Sequence, residues 1–234
     1  MRVTALFAKP APRAPMIAVQ ELRGVAGQGL VDDANAHPAS PRHVLLVDAN
    51  DLRELSLRGD QLRANIVLDG NVNALPSGTV LAIGELRMRI TIECDRCAHL
   101  ERVRAGLSKM IGARRGMLAR VVESGRVRVG DSARVLAERL PAMPADWKRR
   151  AADVVASLPA GETINYRQLA ITVGVDRAYI RAMPTVLRAL GIAGRIVKGD
   201  AASLPAWDAQ PYFADSLREE RADVLGDSLR ATAR

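Results

Sequence analysis

Short apolar runs recur along the first 131 residues with turn residues between them: HVLLVD (43–48), NIVLDG (65–70), TVLAIG (79–84), LRMRITIE (86–93), LARVVE (118–123) and RVRVGD (126–131). LRMRITIE alternates apolar and polar positions, the mark of a strand with one buried face. Six such runs predict a barrel or strongly curved sheet. After residue 146 the period changes. WKRRAADVVASL places Ala151, Val154, Val155 and Leu158 on one helical stripe. Tyr166 to Val173 reads as a second helix ended by Gly174, and Asp176 caps a third running through RAYIRAMPTVLRAL, bent at Pro184. Two short helices around a tight turn, with arginines on the second, have the helix-turn-helix shape, which many helical pairs in enzymes share. The fold class expected is α+β, a β-rich barrel-like part followed by a small helical winged-helix or helix-turn-helix part.

Composition places the boundary. Of seven aromatics only Phe7 precedes Trp147. The proline-bearing run LPAMPADW contains the linker, 140–146, between a domain at 1–139 and another at 147–234. The net charge of +8 invites a polyanionic partner. Residues 147–198 carry nine Lys/Arg against three Asp/Glu, whereas 199–234 carry four against seven. A basic front and an acidic tail suit a surface facing double-stranded DNA. Two cysteines cannot build a secreted disulfide framework, so a reducing cytoplasm is expected. The N-terminal apolar residues are broken by Lys9, Arg13 and three prolines, unlike a signal peptide, and no segment has the length of a membrane span.

Cys94 and Cys97 are the only cysteines. On residue type alone they read as two buried small apolar residues, or as part of a zinc site that His99 brings only to three ligands. The blocks KPAPRAPM, PRHVLLV, LRANIVLDG, LPSGTVLAIGELRMRITIECDRC and RRGMLARVVESGRVRVGD, in this order, resemble a MOSC domain, the molybdenum-cofactor sulfurase C-terminal family. The resemblance implies a pterin-bound molybdenum held by one cysteine, which falls on Cys97, with Cys94 in support. A soft thiolate suits a thiophilic metal, and the neighbouring Arg96 favours its deprotonation. It also implies that Arg42, Arg63 and Asn65 meet the cofactor's phosphate and pterin. Where the family commonly has Gly-Asp followed closely by His, this chain has GVAGQGLVDDANAH, with His37 as the displaced equivalent.

The stretch from Gly161 to Met183 resembles the DNA-binding core of O6-alkylguanine-DNA alkyltransferases through Gly161, Glu162, Thr163, Tyr166, Leu169, Ala170, Arg181 and Ala182. The resemblance implies that Tyr166 crowds a DNA phosphate, that Arg181 fills the stack where a base is flipped, that Arg195 lies on the DNA side, and that Trp207 lines a lesion pocket. Ala193 and Gly194 stand where that family has its acceptor cysteine and histidine, so transfer chemistry is not expected. Plainer readings remain for each: a helix tyrosine, solvated arginines and a core tryptophan. The function expected is reduction of N-hydroxylated compounds, modified nucleobases among them, with electrons from a separate reductase, coupled to lesion binding. The alternatives are a non-enzymatic lesion reader or a DNA-binding regulator with a degenerate first domain.

Overall fold

The computed structural model describes residues 1–197 and 209–213. The chain opens with β1 (Val3–Ala8), β2 (Ile17–Val19), β3 (Glu21–Val25) and β4 (Gly29–Leu30), followed by β5 (Val44–Asp48), α1 (Ala49–Glu54), β6 (Ile66–Leu68), β7 (Thr79–Ile83) and β8 (Leu86–Glu93). Helices α2 (Ala98–Val103) and α3 (Leu107–Met110) precede β9 (Met117–Glu123), β10 (Gly125–Arg128) and β11 (Ala133–Arg139). Every run read as a strand is one.

Eight strands form a mixed sheet in the order β11-β7-β8-β9-β5-β6-β1-β2, antiparallel except where β5 meets β6. A bridge between Arg2 and Ser132, with bonds from Val3 N to the Asp131 carbonyl (2.9 Å) and from Ala133 N to the Met1 carbonyl (2.7 Å), ties the start of β1 to the start of β11. The sheet thereby closes on itself, as the curved-sheet expectation required. Val44 and Leu46 of β5 point into one core with Ile66, Leu81, Met88 and Val121, while Leu45 and Val47 join a second core with Leu52, Leu100 and Leu107. Both faces of β5 are covered, which is why its run is continuously apolar rather than alternating. Each such side chain contributes about 1.5–3 kcal/mol by leaving water.

The solvated face expected of β8 is corrected by the structure. Its polar positions Arg89 and Thr91 are 2% and 0% exposed. Thr91 Oγ1 lies 2.8 Å from the Pro41 carbonyl and 3.0 Å from that of Leu118, and the Arg89 guanidinium donates to the carbonyls of Pro141 and Phe213. The face is covered by chain from far along the sequence. Residues 140–146 also bind along the body: Leu140 N donates to the Gly78 carbonyl (2.9 Å), Met143 N to Ser77 Oγ (2.8 Å), and Met143 is buried.

The C-terminal part comprises α4 (Trp147–Ser157), β12 (Ile164–Asn165), α5 (Tyr166–Val173), α6 (Met183–Ala189), β13 (Ile196–Val197) and α7 (Gln210–Phe213). The α4 stripe is buried as read, against Leu169, Val173, Met183 and Leu187. Asn165 and Gln168 form a capping box at α5. Asp176 does cap, accepting from Ala178 N at 2.9 Å. The long third helix is corrected: a 3-10 turn, Arg177–Arg181, is followed by a separate α6 with Pro184 in its first turn. Inside a helix the proline ring would clash with the carbonyl four residues back, whereas the first turn accepts it. Among the described residues the C-terminal sheet is the two-residue parallel pair β12–β13, and no wing hairpin is present. Ala209 and Phe213 return to the second core of the barrel.

Candidate functional site

After β8 the chain turns through Cys94, Asp95, Arg96 and Cys97 into α2. Cys94 N is fixed to the Gly116 carbonyl at 2.9 Å, and the Cys97 carbonyl receives Leu100 N at 3.0 Å. Gly116 has φ 99°, and a Cβ there would meet the Leu46 carbonyl oxygen at 2.3 Å, so only glycine lets β9 start against β5. The loop borders a cavity of about 180 Å³ whose lining includes all four of its residues, Leu45 and Leu118. Arg42, Arg63 and Asn65 line it too, so the five side chains assigned to a cofactor from the sequence share one cavity. Sequence reasoning missed Lys9, Asn35, Arg115, Asp176 and Tyr179, which complete it.

Their environments differ. Asn65 is 1% exposed and wholly engaged: its Oδ1 accepts from Leu45 N (3.0 Å), and its Nδ2 donates to Asp33 Oδ2 (2.9 Å) and the Phe7 carbonyl (3.3 Å). It braces the wall rather than reaching into the cavity. Asp33 in turn accepts from Lys9 N at 3.0 Å. Arg42 Nη1 donates to the Gly174 carbonyl at 2.8 Å. Arg63 sits at φ 57° just after a 3-10 turn, with its side chain exposed, as is that of Arg96. Burial, and then the Arg63 charge, pull the Lys9 ammonium below its usual pKa.

Arg115 is the outlier. It is 3% exposed, and its Nε and Nη1 have no hydrogen-bond partner. Burying such donors costs about 1–3 kcal/mol unless something accepts from them. Arg115 lines the cavity together with Lys9 and Arg63.

Cys94 is buried among Ile92, Leu100 and Leu107, whereas Cys97 is partly exposed. His99 turns its Nε2 to the Gln61 carbonyl at 2.9 Å, and burial, with Arg63 and Arg115 adding, lowers its pKa. Among the described residues no three His, Cys, Asp or Glu side chains gather around one metal position, so the zinc alternative lacks its ligand set. His37 lies outside the cavity lining, its Nδ1 accepting from Ala39 N at 3.1 Å. On the other side of Cys97 a shallower cavity of about 330 Å³ runs along Arg96, Ala98, Glu101, Ser108 and Lys109.

The residues assigned to DNA do not meet at this cavity. Tyr166 is half-buried against the helical core, and Arg181 is exposed. Arg195 is bound to its own chain, donating from Nε to the Glu162 carbonyl (2.8 Å) and from Nη2 to those of Leu158 and Pro159. Trp207 lies outside the described residues. Among those residues no helix is long and apolar enough to cross a membrane.

The family model of the MOSC domain matches residues 31–134. Among solved structures, the YUAD protein from Bacillus subtilis is 14% identical over 56% of this chain and 93% of its own, with a TM-score of 0.50. YiiM from Escherichia coli is 16% identical over 88% of this chain and 99% of its own (TM-score 0.46). YiiM from Geobacillus stearothermophilus is 9% identical over 92% and 98% (TM-score 0.49). At 14% identity the likeness to the YUAD protein speaks for fold alone. No curated protein matches the sequence. The segment that builds most of the barrel and carries Cys97 is thus a MOSC domain, at residues 31–134.

Proposed function

We propose that the cavity holds a molybdenum cofactor, with Cys97 as the protein's ligand to the metal, and that the protein reduces N-hydroxylated compounds. The observation that carries this reading is Arg115, buried with two unmatched nitrogens in the wall of the cavity that Cys97 lines. The donor set fits such a group: one partly exposed thiol for a thiophilic metal, and five cations (Lys9, Arg42, Arg63, Arg96 and Arg115) against two carboxylates, Asp95 and Asp176, for a phosphate. When bound, the cofactor supplies two electrons to an N–O bond, which two protons convert to an N–H and water, the electrons coming from a separate reductase. Cys97 Sγ anchors the metal. Arg115, Lys9 and Arg63 hold the phosphate, and Asn65 fixes the connection between the 3-10 turn and β6 from which Arg63 projects. Cys94 packs beneath the loop.

The test is molybdenum quantification on protein made in a cofactor-competent host. The wild type and Cys94→Ser should carry the metal, and Cys97→Ser should lose it along with N-hydroxyl reduction. A wild type without molybdenum, or equal loss in both variants, overturns the reading.

Lesion binding by the C-terminal part is a second proposal, favoured by one observation: Arg181 is exposed in a stretch with nine Lys/Arg against three Asp/Glu. The turn between α5 and the 3-10 turn, however, is packed on the barrel through Arg42, and Asp176 and Tyr179 face the Cys97 cavity. Salt-dependent binding of the full chain to duplexes with and without O6-alkylguanine tests it, and equal indifference to both at low salt ends it.

A further inference from the structure

We infer that the C-terminal part supplies the substrate-facing wall of the Cys97 cavity, with Tyr179 stacking on a flat reactant and Asp176 accepting a hydrogen bond from its N–H group. The inference rests on the reductive function proposed above and assigns to two residues the choice of what is reduced.

Tyr179 and Asp176 reach the cavity from more than seventy residues beyond Cys97, and the approach is held at several points. Gly174 ends α5 at φ 74°, where a Cβ would lie 2.7 Å from Pro41 Cγ and 3.0 Å from Ile92 Cδ1. Its carbonyl takes Arg42 Nη1 at 2.8 Å, and the preceding Val173 carbonyl takes Nε of the buried Arg150 at 2.7 Å. This wall is thus fastened to the barrel by a residue, Arg42, that itself lines the cavity. Asp176 Oδ1 is fixed by Ala178 N at 2.9 Å, while Oδ2 has no partner among the described residues. The Tyr179 ring packs edge-on against Trp147, with centroids 5.8 Å apart and planes at 77°, and the residue stays 39% exposed. A held ring with open surface, beside a carboxylate with a spare oxygen, suits a planar molecule bearing N–H donors.

The charges around the cavity fall into two groups. Lys9, Arg63 and Arg115 line the cavity from the barrel, whereas Arg42, also in the lining, has its Nη1 on the Gly174 carbonyl of the C-terminal part. An anionic phosphate is drawn to the first group. On the Tyr179–Asp176 side Arg42 already has an acceptor in the Gly174 carbonyl, which leaves that side to the uncharged reactant.

The test compares benzamidoxime, whose N-hydroxyamidine is carried on a ring, with the aliphatic acetamidoxime, using molybdenum-loaded full-length protein. Tyr179→Leu should raise KM for benzamidoxime roughly fivefold to tenfold with kcat nearly unchanged, leave acetamidoxime alone, and retain full molybdenum; Tyr179→Phe should behave as wild type. Asp176→Asn keeps the oxygen that caps the 3-10 turn and should raise KM for both amidoximes. A readout independent of turnover is Trp147 emission in a Trp207→Phe background: benzamidoxime should change it, and Tyr179→Leu should abolish the change. Full molybdenum with the same KM pattern in Tyr179→Leu as in wild type overturns the inference, as does an equal loss for both substrates. Absence of molybdenum and turnover in the wild type would instead overturn the proposed function, while the emission titration would still decide whether the wall binds a flat ligand.

Discussion

Arg89 and Arg120 on the outer face of the sheet, and Arg150 of α4, are buried with their guanidiniums aimed at backbone carbonyls of loops and helix ends, whereas at the Cys97 cavity Arg115 is as deeply buried with two nitrogens unmatched. Arg120 donates to the carbonyls of Pro38 (2.7 Å) and Ser40 (2.8 Å) and lies 3.9 Å from the centre of the Phe213 ring. Arg150 does the same for Val173, Pro144 and Ala145. Loops and helix ends packed on a barrel have carbonyls that no strand can satisfy, and these arginines supply the missing donors. Burial by itself therefore says nothing about function in this molecule. What marks Arg115 is two conditions together, donors without acceptors and a place in the Cys97 cavity lining; Arg104 shares the first and not the second.

The comparison breaks most readily at Arg120. Arg120→Met leaves buried carbonyls without donors and removes the contact with Phe213, so a loss of about 3–5 kcal/mol in urea unfolding is expected. A loss below about 1 kcal/mol would erase the distinction between the two regions.

A comparable effect falls on acid stability, through His43 beside Arg120. Val121 N donates to His43 Nδ1 (3.2 Å), so the proton sits on Nε2 and is donated to the His37 carbonyl (3.0 Å). A second proton would have to displace Val121 N–H. Burial first, and the Arg120 charge second, push the pKa down from 6.5 to about 3. The unfolded chain takes up this proton as pH falls through 6.5 and the folded protein only near 3, so the stabilisation is complete above 6.5 and is lost on going down to about 3. The expected slope is about 1.4 kcal/mol per pH unit within that window. His43→Asn, which keeps an acceptor for Val121 N–H, should flatten the slope in thermal melts taken across it.

Arg115→Met sharpens the comparison from the other side. Removing unmatched buried donors should change stability by less than about 1 kcal/mol, or raise it, while molybdenum content falls severalfold. A destabilisation as large as that of Arg120→Met would make Arg115 another brace. The smallest effect belongs to the exposed Arg63: Arg63→Ala should stay within about 0.5 kcal/mol in urea unfolding and lower molybdenum content only modestly.

The elements that were legible are those whose signal is local. β8 has the bounds its alternation suggested, α4 buries its stripe, and Gly174 and Asp176 end and begin their elements as read. β11 was missed because Ala, Leu, Glu and Arg favour helix, and only pairing with β7 makes the segment a strand. β1 to β4 are short and lie among prolines and single charges, so no periodicity marks them. In the site, Cys97 and its cationic neighbours came from a family resemblance. Arg115 stood in a quoted block without a role, because an arginine reads the same whether its donors meet a carbonyl, a ligand or water.

By itself the sequence determined the β-rich body, the helical stripe, the capped turn after Gly174 and the cysteine segment, since propensity, periodicity and capping act over a few residues. Only the tertiary structure decided that the polar face of β8 lies under residues 140–145 and α7, that Arg115 lies in the cavity wall with two donors unmatched, and that Tyr179 and Asp176 share that cavity with Cys97. Each of these depends on which distant backbone covers a side chain, and that is settled by packing chain segments up to some 120 residues apart.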